Sequence, residues 1–316
     1  MRVLVTGAGG FVGRALTARL LAAASGAGSD GEGLELVLVD QQFQAASDDR
    51  RVSILEGDFG DRVLLQRAIG RGVDRVFHLA SVPGGAAEAN FELGLRVNLE
   101  ATIALLEALR NTASVPRYVF ASTIGVYGVP MPDVIDEDTI PVPSLSYGAH
   151  KLIGEILAAD YSRRGHIDGV SLRLPGIVAR PPQASGMLSA FLSDMLREVA
   201  AGNRFVCPVA KTGVSWWMSR PCLIDNLLTA AELPQAQLAR RRTWLLPVLR
   251  ASMAEVVNAL GTAYGVDSEA LVSYRDDPKL RAQFASYPPL ECPDSLAAGF
   301  RNDGSVESMV RRALET

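Results

Sequence analysis

The stretch MRVLVTGAGGFVG, residues 1–13, decides the fold of this chain. Its first six residues have the apolar character of a short buried strand, and an Ala/Leu-rich helical stretch at residues 14–24 follows the glycines. Gly7 allows a tight turn, Gly10 lets the backbone approach a pyrophosphate, and Gly13 lets the helix pack on the strand. Phosphates would then lie at the helix N-terminus, where free N–H groups favour negative charge. The stretch therefore predicts a dinucleotide-binding turn.

A second strand with an acid at its end completes this pattern. Residues 34–39 read LELVLV, and Asp40 follows directly. A carboxylate at this point can accept hydrogen bonds from both hydroxyls of a ribose, and it repels a 2′-phosphate. The expected cofactor is therefore NAD.

Strands and helices alternate over the first half of the chain. Further strands are predicted at residues 51–57, 73–80, 117–122 and 171–174, with helices at 62–69, 91–110 and 147–164. This alternation predicts an α/β fold with a doubly wound parallel sheet of the Rossmann type, which binds ligands at the carboxyl ends of its strands. The alternation stops after Leu174, and residues 243–248 are expected to return to the sheet as its seventh strand.

Two domains are expected from this organisation. An NAD-binding Rossmann domain would comprise residues 1–173 plus about 222–249. A smaller C-terminal substrate-binding domain would comprise residues 174–221 plus 250–316. The Gly/Ser-rich residues 22–33 predict a surface loop, and residues 250–265 predict a helix.

Composition narrows the class of protein. The 316 residues are 48% hydrophobic and carry a net charge of −4, so a sizeable core is expected and nucleic acid is not an expected partner. No apolar run reaches the roughly 18 residues of a membrane span. The isolated Cys207, Cys222 and Cys292 lack metal-ligand spacing and fit a reducing compartment. A cytoplasmic protein without a metal site or a membrane partner is expected.

The segment YGAHK places Tyr147 and Lys151 four residues apart, on one face of a predicted helix. An ammonium close to a phenol favours the phenolate, so the pair can take and return a proton near neutral pH. Upstream, the segment ASTIGVYG at residues 121–128 ends a strand with hydroxyl side chains. Each feature also has a structural alternative: an amphipathic helix with a surface lysine for the first, and a turn cap for the second.

Taken together, these motifs resemble the extended short-chain dehydrogenase/reductase superfamily, also called the NAD-dependent epimerase/dehydratase superfamily, over nearly the whole chain. The shared motifs, in order, are TGxxGxxG, Asp40, Gly57-Asp58, the segment HLAS at residues 78–81, Asn98 and YxxxK. The resemblance implies that Thr123, Tyr147 and Lys151 are catalytic, with Ser122 one residue too early for the catalytic hydroxyl. It also implies a cofactor site. The residues implied for that site are Gly7, Gly10, Phe11, Val12, Gly13, Asp40, Asp58, Phe59, Leu79, Ala80, Ser81, Asn98, Tyr147, Lys151, Pro175 and Ile177.

Two of these implied roles are more specific. By the resemblance, Asp58 and Phe59 contact the adenine, and Leu79 to Ser81 line the cofactor. Asn98 is expected to be a structural residue of its helix near the cofactor.

Two departures from the superfamily narrow the substrate. Dehydratases of this group carry an Asp-Glu pair after the catalytic hydroxyl, whereas Ile124-Gly125 stand here. Enzymes acting on nucleotide sugars usually carry an asparagine three residues after the arginine of the sixth strand, whereas Gly176 follows Arg173 at that spacing. Water elimination and a nucleotide-sugar substrate both lose support.

A narrower resemblance is to the D-erythronate dehydrogenase branch. It rests on residues 161–169, on the segment LRLP at 172–175 with Arg180-Pro181, on Cys207-Pro208-Val209 and on the Trp-rich segment ahead of Asp225-Asn226. The resemblance implies oxidation of the C2 hydroxyl of a small sugar acid to the 2-oxo acid, with NAD. The segment PQAS at residues 182–185 departs from the version typical of that branch. The substrate-binding residues expected on this basis are Ser81, Thr123, Tyr147, Arg180, Ser185 and Arg220.

Other interpretations stay open at this point. One is a nucleotide-sugar 4-epimerase, and another, of a different class, is a non-catalytic NAD-binding sensor protein. The superfamily also implies a homodimer built on the helix at residues 91–110 and the Tyr147 helix. Ile103, Leu106, Ile153 and Leu157 would lie in that interface, or they would pack on their own sheet.

Overall fold

The computed structural model describes residues 1–26, 33–44, 46–182 and 188–315. These residues form twelve strands and fourteen α-helices. The strands are β1 Arg2–Thr6, β2 Glu35–Asp40, β3 Val52–Glu56, β4 Arg75–His78, β5 Arg117–Thr123, β6 Asp168–Leu174, β7 Gly176–Val178, β8 Phe205–Cys207, β9 Val214–Ser219, β10 Thr243–Leu245, β11 Leu249–Ser252 and β12 Val272–Tyr274. The helices are α1 Phe11–Gly26, α2 Arg62–Ile69, α3 Gly84–Ala89, α4 Phe91–Leu95, α5 Ala101–Arg110, α6 Ser146–Arg163, α7 Ala190–Ala200, α8 Arg220–Glu232, α9 Gln235–Leu238, α10 Met253–Tyr264, α11 Ser268–Leu271, α12 Pro278–Phe284, α13 Pro293–Ala297 and α14 Val306–Leu314.

Two irregular turns interrupt this pattern near the predicted site. A π-helical turn, Arg96–Glu100, joins α4 to α5, so the predicted helix at residues 91–110 forms with a local widening. A 3₁₀ turn, Ile124–Tyr127, follows β5 directly. π-Helical turns inside helices are often found at functional sites.

Seven strands form one parallel sheet in the order β10-β6-β5-β4-β1-β2-β3. β1 is an inner strand of the sheet, and its Thr6 pairs with Val39 of β2 on one side and with His78 of β4 on the other. The ends of β1, β2 and β4 therefore lie at the same edge of the sheet. The predicted doubly wound Rossmann fold is confirmed, including the return of the chain to the sheet at Thr243.

The core of the sheet is apolar on both faces, as helices on both sides require. Val3, Leu4 and Val5 of β1 and Tyr118 and Phe120 of β5 have no solvent exposure. Each fully buried side chain of this kind stabilises the fold by about 1.5–3 kcal/mol. These buried strands hold their carboxyl ends in fixed positions.

The chain divides into two compact units. The first comprises Met1–Val126, Leu145–Arg173 and Leu227–Trp244, and the second comprises Tyr127–Ser144, Leu174–Asn226 and Leu245–Thr316. The segment Tyr127–Ser144, predicted in the NAD-binding domain, is part of the second unit. Which ligand each unit binds stays a prediction.

The second unit has its own sheets and core. β7, β9 and β11 form a three-stranded sheet, and β8 pairs with β12. Trp217 is fully buried among apolar side chains of α7, α10 and α14, and its indole nitrogen donates to the carbonyl of Ala251.

Two local predictions were wrong, and five strands were missed. The predicted loop at residues 22–33 begins too early, because the alanines at 22–24 favour continuation of α1 to Gly26; residues 27–32 lie outside the described part of the chain. The predicted helix at residues 250–265 starts later, because residues 249–252 pair with β9 as β11 and Ser252 caps α10 in a capping box with Glu255. The strands β7, β8, β9, β11 and β12 were not predicted, because strands of three to six residues carry little periodicity.

Over the described residues, none of the helices has the length and apolarity that crossing a lipid bilayer requires.

Candidate functional site

The glycine turn after β1 has the predicted geometry. Gly7 has a φ of +72°, and a Cβ there would come within 2.7 Å of the main-chain nitrogen of Ala80. A Cβ on Gly13 would lie 2.2 Å from the carbonyl oxygen of Gly7, so only glycine lets α1 pack this closely. Gly10 is exposed, and a Cβ there would meet no atom nearer than 3.2 Å. The open main chain at Gly10 and the N-terminus of α1 suit a pyrophosphate.

Asp40 ends β2 beside this turn. Its Oδ2 accepts a hydrogen bond from the Gly9 nitrogen at 2.9 Å, and its Oδ1 accepts one from the Gln41 nitrogen at 2.7 Å. Two main-chain donors therefore fix the carboxylate against the turn. Each oxygen keeps a lone pair that can accept a further hydrogen bond, as a ribose diol requires.

The two residues predicted to contact the adenine, Asp58 and Phe59, present different groups. Asp58 is half-buried, and its Oδ1 accepts from the Gly60 nitrogen at 2.9 Å. The Phe59 ring is only 6% exposed and packs edge-on against His78, with ring centroids 5.2 Å apart. The main chain of Phe59, and not its ring, is therefore the part that can contact a nucleotide base.

A buried chain of hydrogen bonds joins β1, β4 and α5. Thr102 donates from Oγ1 to the carbonyl of Asn98, so Oγ1 accepts from Nε2 of His78, 2.9 Å away. Nδ1 of His78 then accepts from the hydroxyl of Thr6, 2.6 Å away. Burial lowers the pKa of His78 well below its usual value, which keeps the ring neutral and leaves one nitrogen to donate and the other to accept. This chain fixes the glycine turn relative to the predicted cofactor residues Leu79 to Ser81.

Asn98 holds the next part of the same loop. It lies on the π-helical turn and is 1% exposed. Its side-chain oxygen accepts from the Val82 nitrogen at 2.7 Å, and its side-chain nitrogen donates to the Val82 carbonyl at 3.1 Å. Both functions of the amide are therefore used to hold the main chain beside Ser81.

Lys151 is buried one helical turn after Tyr147. It is 1% exposed, and its Nζ lies 4.8 Å from the centre of the Phe120 ring and 5.9 Å from that of the half-buried Tyr147. Burial lowers the pKa of Lys151 to about 7. The alternative of a surface lysine on an amphipathic helix is therefore wrong.

Thr123 ends β5 close to Tyr147. A Cβ on Gly125 would lie 3.3 Å from Thr123 Oγ1 and 3.9 Å from Cδ1 of Tyr147, so both side chains border the same point. Thr123 Oγ1 also accepts from the Gly125 nitrogen at 3.0 Å. The hydroxyl caps the turn, as the structural alternative expected, and still has a proton to donate to a substrate oxygen.

Sequence reasoning missed two charged residues behind this pair. Glu155 of α6 is 4% exposed and Arg173 of β6 is 8% exposed, and they form an ion pair at 2.8 Å. A charge inside an otherwise apolar strand, as in LRL at residues 172–174, was the signal that could have found them.

The remaining predicted residues lie in the second unit. Pro175 and Ile177 are buried, and Ile177 pairs with Met218 of β9. Arg180 follows β7, Arg220 begins α8, and both are half-buried. Ser185 and Gln183 lie outside the described residues. The structure brings Thr123, Tyr147 and Lys151 together within the first unit.

Among the residues that the structure describes, no three histidine, cysteine, aspartate or glutamate side chains are grouped as a metal ion requires.

Comparisons with known proteins identify the family of this chain. The chain is 38% identical to D-erythronate dehydrogenase of Cupriavidus necator, over 100% of this chain and 98% of that protein. It is 30% identical to D-erythronate dehydrogenase of Haemophilus influenzae, over 100% of this chain and 99% of that protein. Among solved structures, the nucleoside-diphosphate-sugar epimerase from Agrobacterium tumefaciens matches with a TM-score of 0.89 and 32% identity, over 98% of this chain and 92% of that one. Residues 3–217 match the model of the NAD dependent epimerase/dehydratase family, and the chain therefore belongs to that family.

Proposed function

We propose that this protein oxidises the C2 hydroxyl of a small sugar acid similar to D-erythronate to the 2-oxo acid, with NAD as the cofactor. The observation that carries the proposal is the buried Lys151 one turn after Tyr147, with Thr123 beside them. The two full-length relatives named D-erythronate dehydrogenase support the choice of substrate. A protein that only sensed NAD would have no need of a buried lysine beside a tyrosine and a threonine hydroxyl.

The first unit supplies the groups that hold the cofactor. The glycine turn and the N-terminus of α1 would bind the pyrophosphate, and Asp40 would accept hydrogen bonds from the adenosine ribose. Asp58 and the main chain of Phe59 would face the adenine. Bound NAD supplies the hydride acceptor for the reaction. The first unit would therefore be the NAD-binding domain, and the second unit, which carries Arg180 and Arg220, would be the substrate-binding domain.

Each of the three proposed catalytic residues has its own role in the reaction. Tyr147, as the phenolate, takes the proton of the substrate C2 hydroxyl, while the hydrogen on C2 leaves as hydride. Thr123 donates a hydrogen bond to the same oxygen and holds it against Tyr147. The Lys151 ammonium favours the phenolate, and it would donate hydrogen bonds to the hydroxyls of the nicotinamide ribose of bound NAD. These steps leave a carbonyl at C2.

An arginine suits the substrate carboxylate. A guanidinium binds a carboxylate through two parallel hydrogen bonds, which an ammonium cannot do. Arg180 or Arg220 is proposed for this role because each is a half-buried arginine of the second unit. A structural ion pair is the alternative role for either residue.

A substrate screen tests the proposed function. The purified protein is incubated with NAD and each four- and five-carbon sugar acid, and NADH is followed by its absorbance. D-erythronate or a close stereoisomer should give the highest kcat/KM. Absence of NADH with every acid, from a protein that binds NAD, would overturn the proposal.

A nucleotide-sugar 4-epimerase is the second candidate, favoured by the name of the solved relative from Agrobacterium tumefaciens. In such an enzyme the hydride returns to the same substrate, so no net NADH forms. Conversion of UDP-glucose to its 4-epimer without NADH would favour this candidate. Gly176, in place of the asparagine usual in nucleotide-sugar enzymes, argues against it.

We further propose a cytoplasmic homodimer. The free, buried cysteines Cys207, Cys222 and Cys292 support a reducing compartment. Helices α4, α5 and α6 pack together and leave four large apolar side chains exposed. These are Phe91 at 58%, Ile103 at 38%, Ile153 at 39% and Ile156 at 61%.

Two residues expected in the dimer face pack elsewhere. Leu106 is fully buried in the core of its own unit, which is the second of the two roles expected for it, and Leu157 is partly buried against the same core. Light scattering at micromolar concentration tests the dimer, and Ile156→Asp should give a monomer. A wild-type monomer would contradict it.

A further inference from the structure

Three buried polar side chains meet behind the catalytic residues. Ser122 is 2% exposed, Glu155 4% and Arg173 8%. Glu155 Oε1 accepts from the hydroxyl of Ser122 and from Nε of Arg173 at 3.1 Å, and its Oε2 accepts from Nη2 of Arg173 at 2.8 Å. One carboxylate thus ties together β5, α6 and β6.

Two members of this cluster lie close in sequence to residues of the proposed reaction, and the third lies close to a predicted cofactor residue. Ser122 directly precedes Thr123 on β5. Glu155 lies one helical turn after Lys151 and two after Tyr147, on the same face of α6. Arg173 is two residues before Pro175, at the end of β6. The cluster therefore touches every element of the first unit that carries a proposed catalytic residue.

Stability alone gives a weak reason for such a cluster. Removing two charges from water is costly, and replacing a buried ion pair by well-packed apolar side chains often leaves stability unchanged or raises it. An apolar cluster cannot fix the orientation of a helix, because apolar contacts are not directional. A bidentate pair with a third donor on the same carboxylate fixes the rotation and the position of α6 against two strands.

We infer that Glu155 is a positioning residue, which aligns Tyr147 and Lys151 with Thr123 by binding Ser122 and Arg173. The inference rests on the proposed function, which assigns those three residues to catalysis. Placement matters because an error of about 1 Å between reacting groups can cost about 100-fold in rate. Ser122, one residue too early to act on the substrate, acts instead through Glu155.

The same helix offers a matched control. Ser162, near the far end of α6, is also buried; its hydroxyl donates to the Ala158 carbonyl at 2.6 Å and accepts from the Gly169 nitrogen at 2.9 Å. Ser162→Ala and Ser122→Ala each remove one buried hydroxyl between α6 and the sheet. Only Ser122→Ala removes it at the catalytic end.

The kinetic arm compares these variants with Glu155→Gln. Ser122→Ala should lower kcat about tenfold, because it removes one hydrogen bond to Glu155. Glu155→Gln should lower kcat about 100-fold, because it removes the charge that binds Arg173. The Kd for NAD, measured by titration calorimetry, should change far less than kcat, because the glycine turn and Asp40 are untouched and Lys151 is still present. The double variant should be no slower than Glu155→Gln, since both substitutions break one unit. Ser162→Ala should keep kcat.

The structural arm needs no substrate. Hydrogen exchange followed by mass spectrometry should be faster in Ser122→Ala over residues 120–127 and 146–152, and unchanged there in Ser162→Ala. Equal exchange in the two variants, or a kcat of Ser122→Ala equal to that of Ser162→Ala, would overturn the inference, even if Glu155→Gln fails to fold. If wild type oxidises no sugar acid, the proposed function fails, and the exchange result still decides whether Glu155 orders the catalytic end of α6.

Discussion

Replacing Lys151 by methionine should make the free protein more stable while it removes activity. The ammonium is 1% exposed, and its burial lowers the pKa from 10.5 to about 7. Each pKa unit corresponds to about 1.4 kcal/mol, so the charge destabilises the fold by up to about 5 kcal/mol. The contact of Nζ with the Phe120 ring, 4.8 Å from its centre, offsets about 1–2 kcal/mol of this. Methionine keeps an unbranched apolar chain of similar length, and we expect a net gain of about 1–4 kcal/mol at pH 7.

The gain should depend on pH in a defined direction. Between pH 7 and 10.5 the unfolded chain binds a proton at this lysine that the folded chain does not, so the stability of wild type rises with pH in that range. The destabilisation is complete below pH 7 and disappears above pH 10.5. The difference between Lys151→Met and wild type should therefore be largest near pH 6.5 and should close towards pH 10.

Urea unfolding at pH 6.5, 8 and 10 measures this difference. Lys279→Met, which replaces an exposed lysine, is the control and should change stability little at each pH. Saturating NAD should stabilise wild type more than Lys151→Met, because a ligand stabilises the state that binds it in proportion to its affinity. A Lys151→Met protein less stable than wild type at pH 6.5, with a difference that does not change towards pH 10, would refute the argument.

Three other predictions concern the proposed site. Wild type should use NAD with a higher kcat/KM than NADP, and Asp40→Asn should narrow the difference because the carboxylate no longer repels a 2′-phosphate; equal use of both cofactors by wild type would contradict the role of Asp40. Tyr147→Phe should lower kcat by about two to four orders of magnitude with the Kd for NAD nearly unchanged, since the ring still packs but has no proton to transfer; a variant that kept a tenth of the activity would exclude Tyr147 as the base. Arg180→Met or Arg220→Met should raise KM for the acid far more than KM for NAD without loss of thermal stability, whereas lost stability with an unchanged KM would make that arginine structural.

Much of the first unit could be predicted because its signals are local. The glycine turn depends on Gly7 and Gly13, because a Cβ atom at either position would clash with the main chain nearby. Asp40 could be predicted because it ends an apolar strand. The Tyr147–Lys151 pair could be predicted because a spacing of four residues is one helical turn. Residues separated by one turn of one helix need no tertiary contact to become neighbours.

The second unit could be predicted only in part. Its strands are short and pair with distant parts of the chain, as Leu249 of β11 does with Trp217 of β9. A three- or four-residue strand shows no clear period, and its formation depends on the partner strand and not on its own residues. The same reason explains why Ser252, a helix cap, was placed inside a helix.

The sequence by itself therefore determined the Rossmann fold and predicted NAD as the cofactor, because both depend on residue type at a fixed local spacing. The catalytic candidates followed from the YxxxK spacing together with the resemblance to a known family. Tertiary structure alone decided that Lys151 is buried and loses part of its charge near neutral pH, that His78 is a neutral link between β1 and α5, and that Glu155 joins Ser122 to Arg173. Burial and long-range hydrogen bonds depend on which elements pack together, and residues 18 to 33 positions apart meet only when the sheet forms.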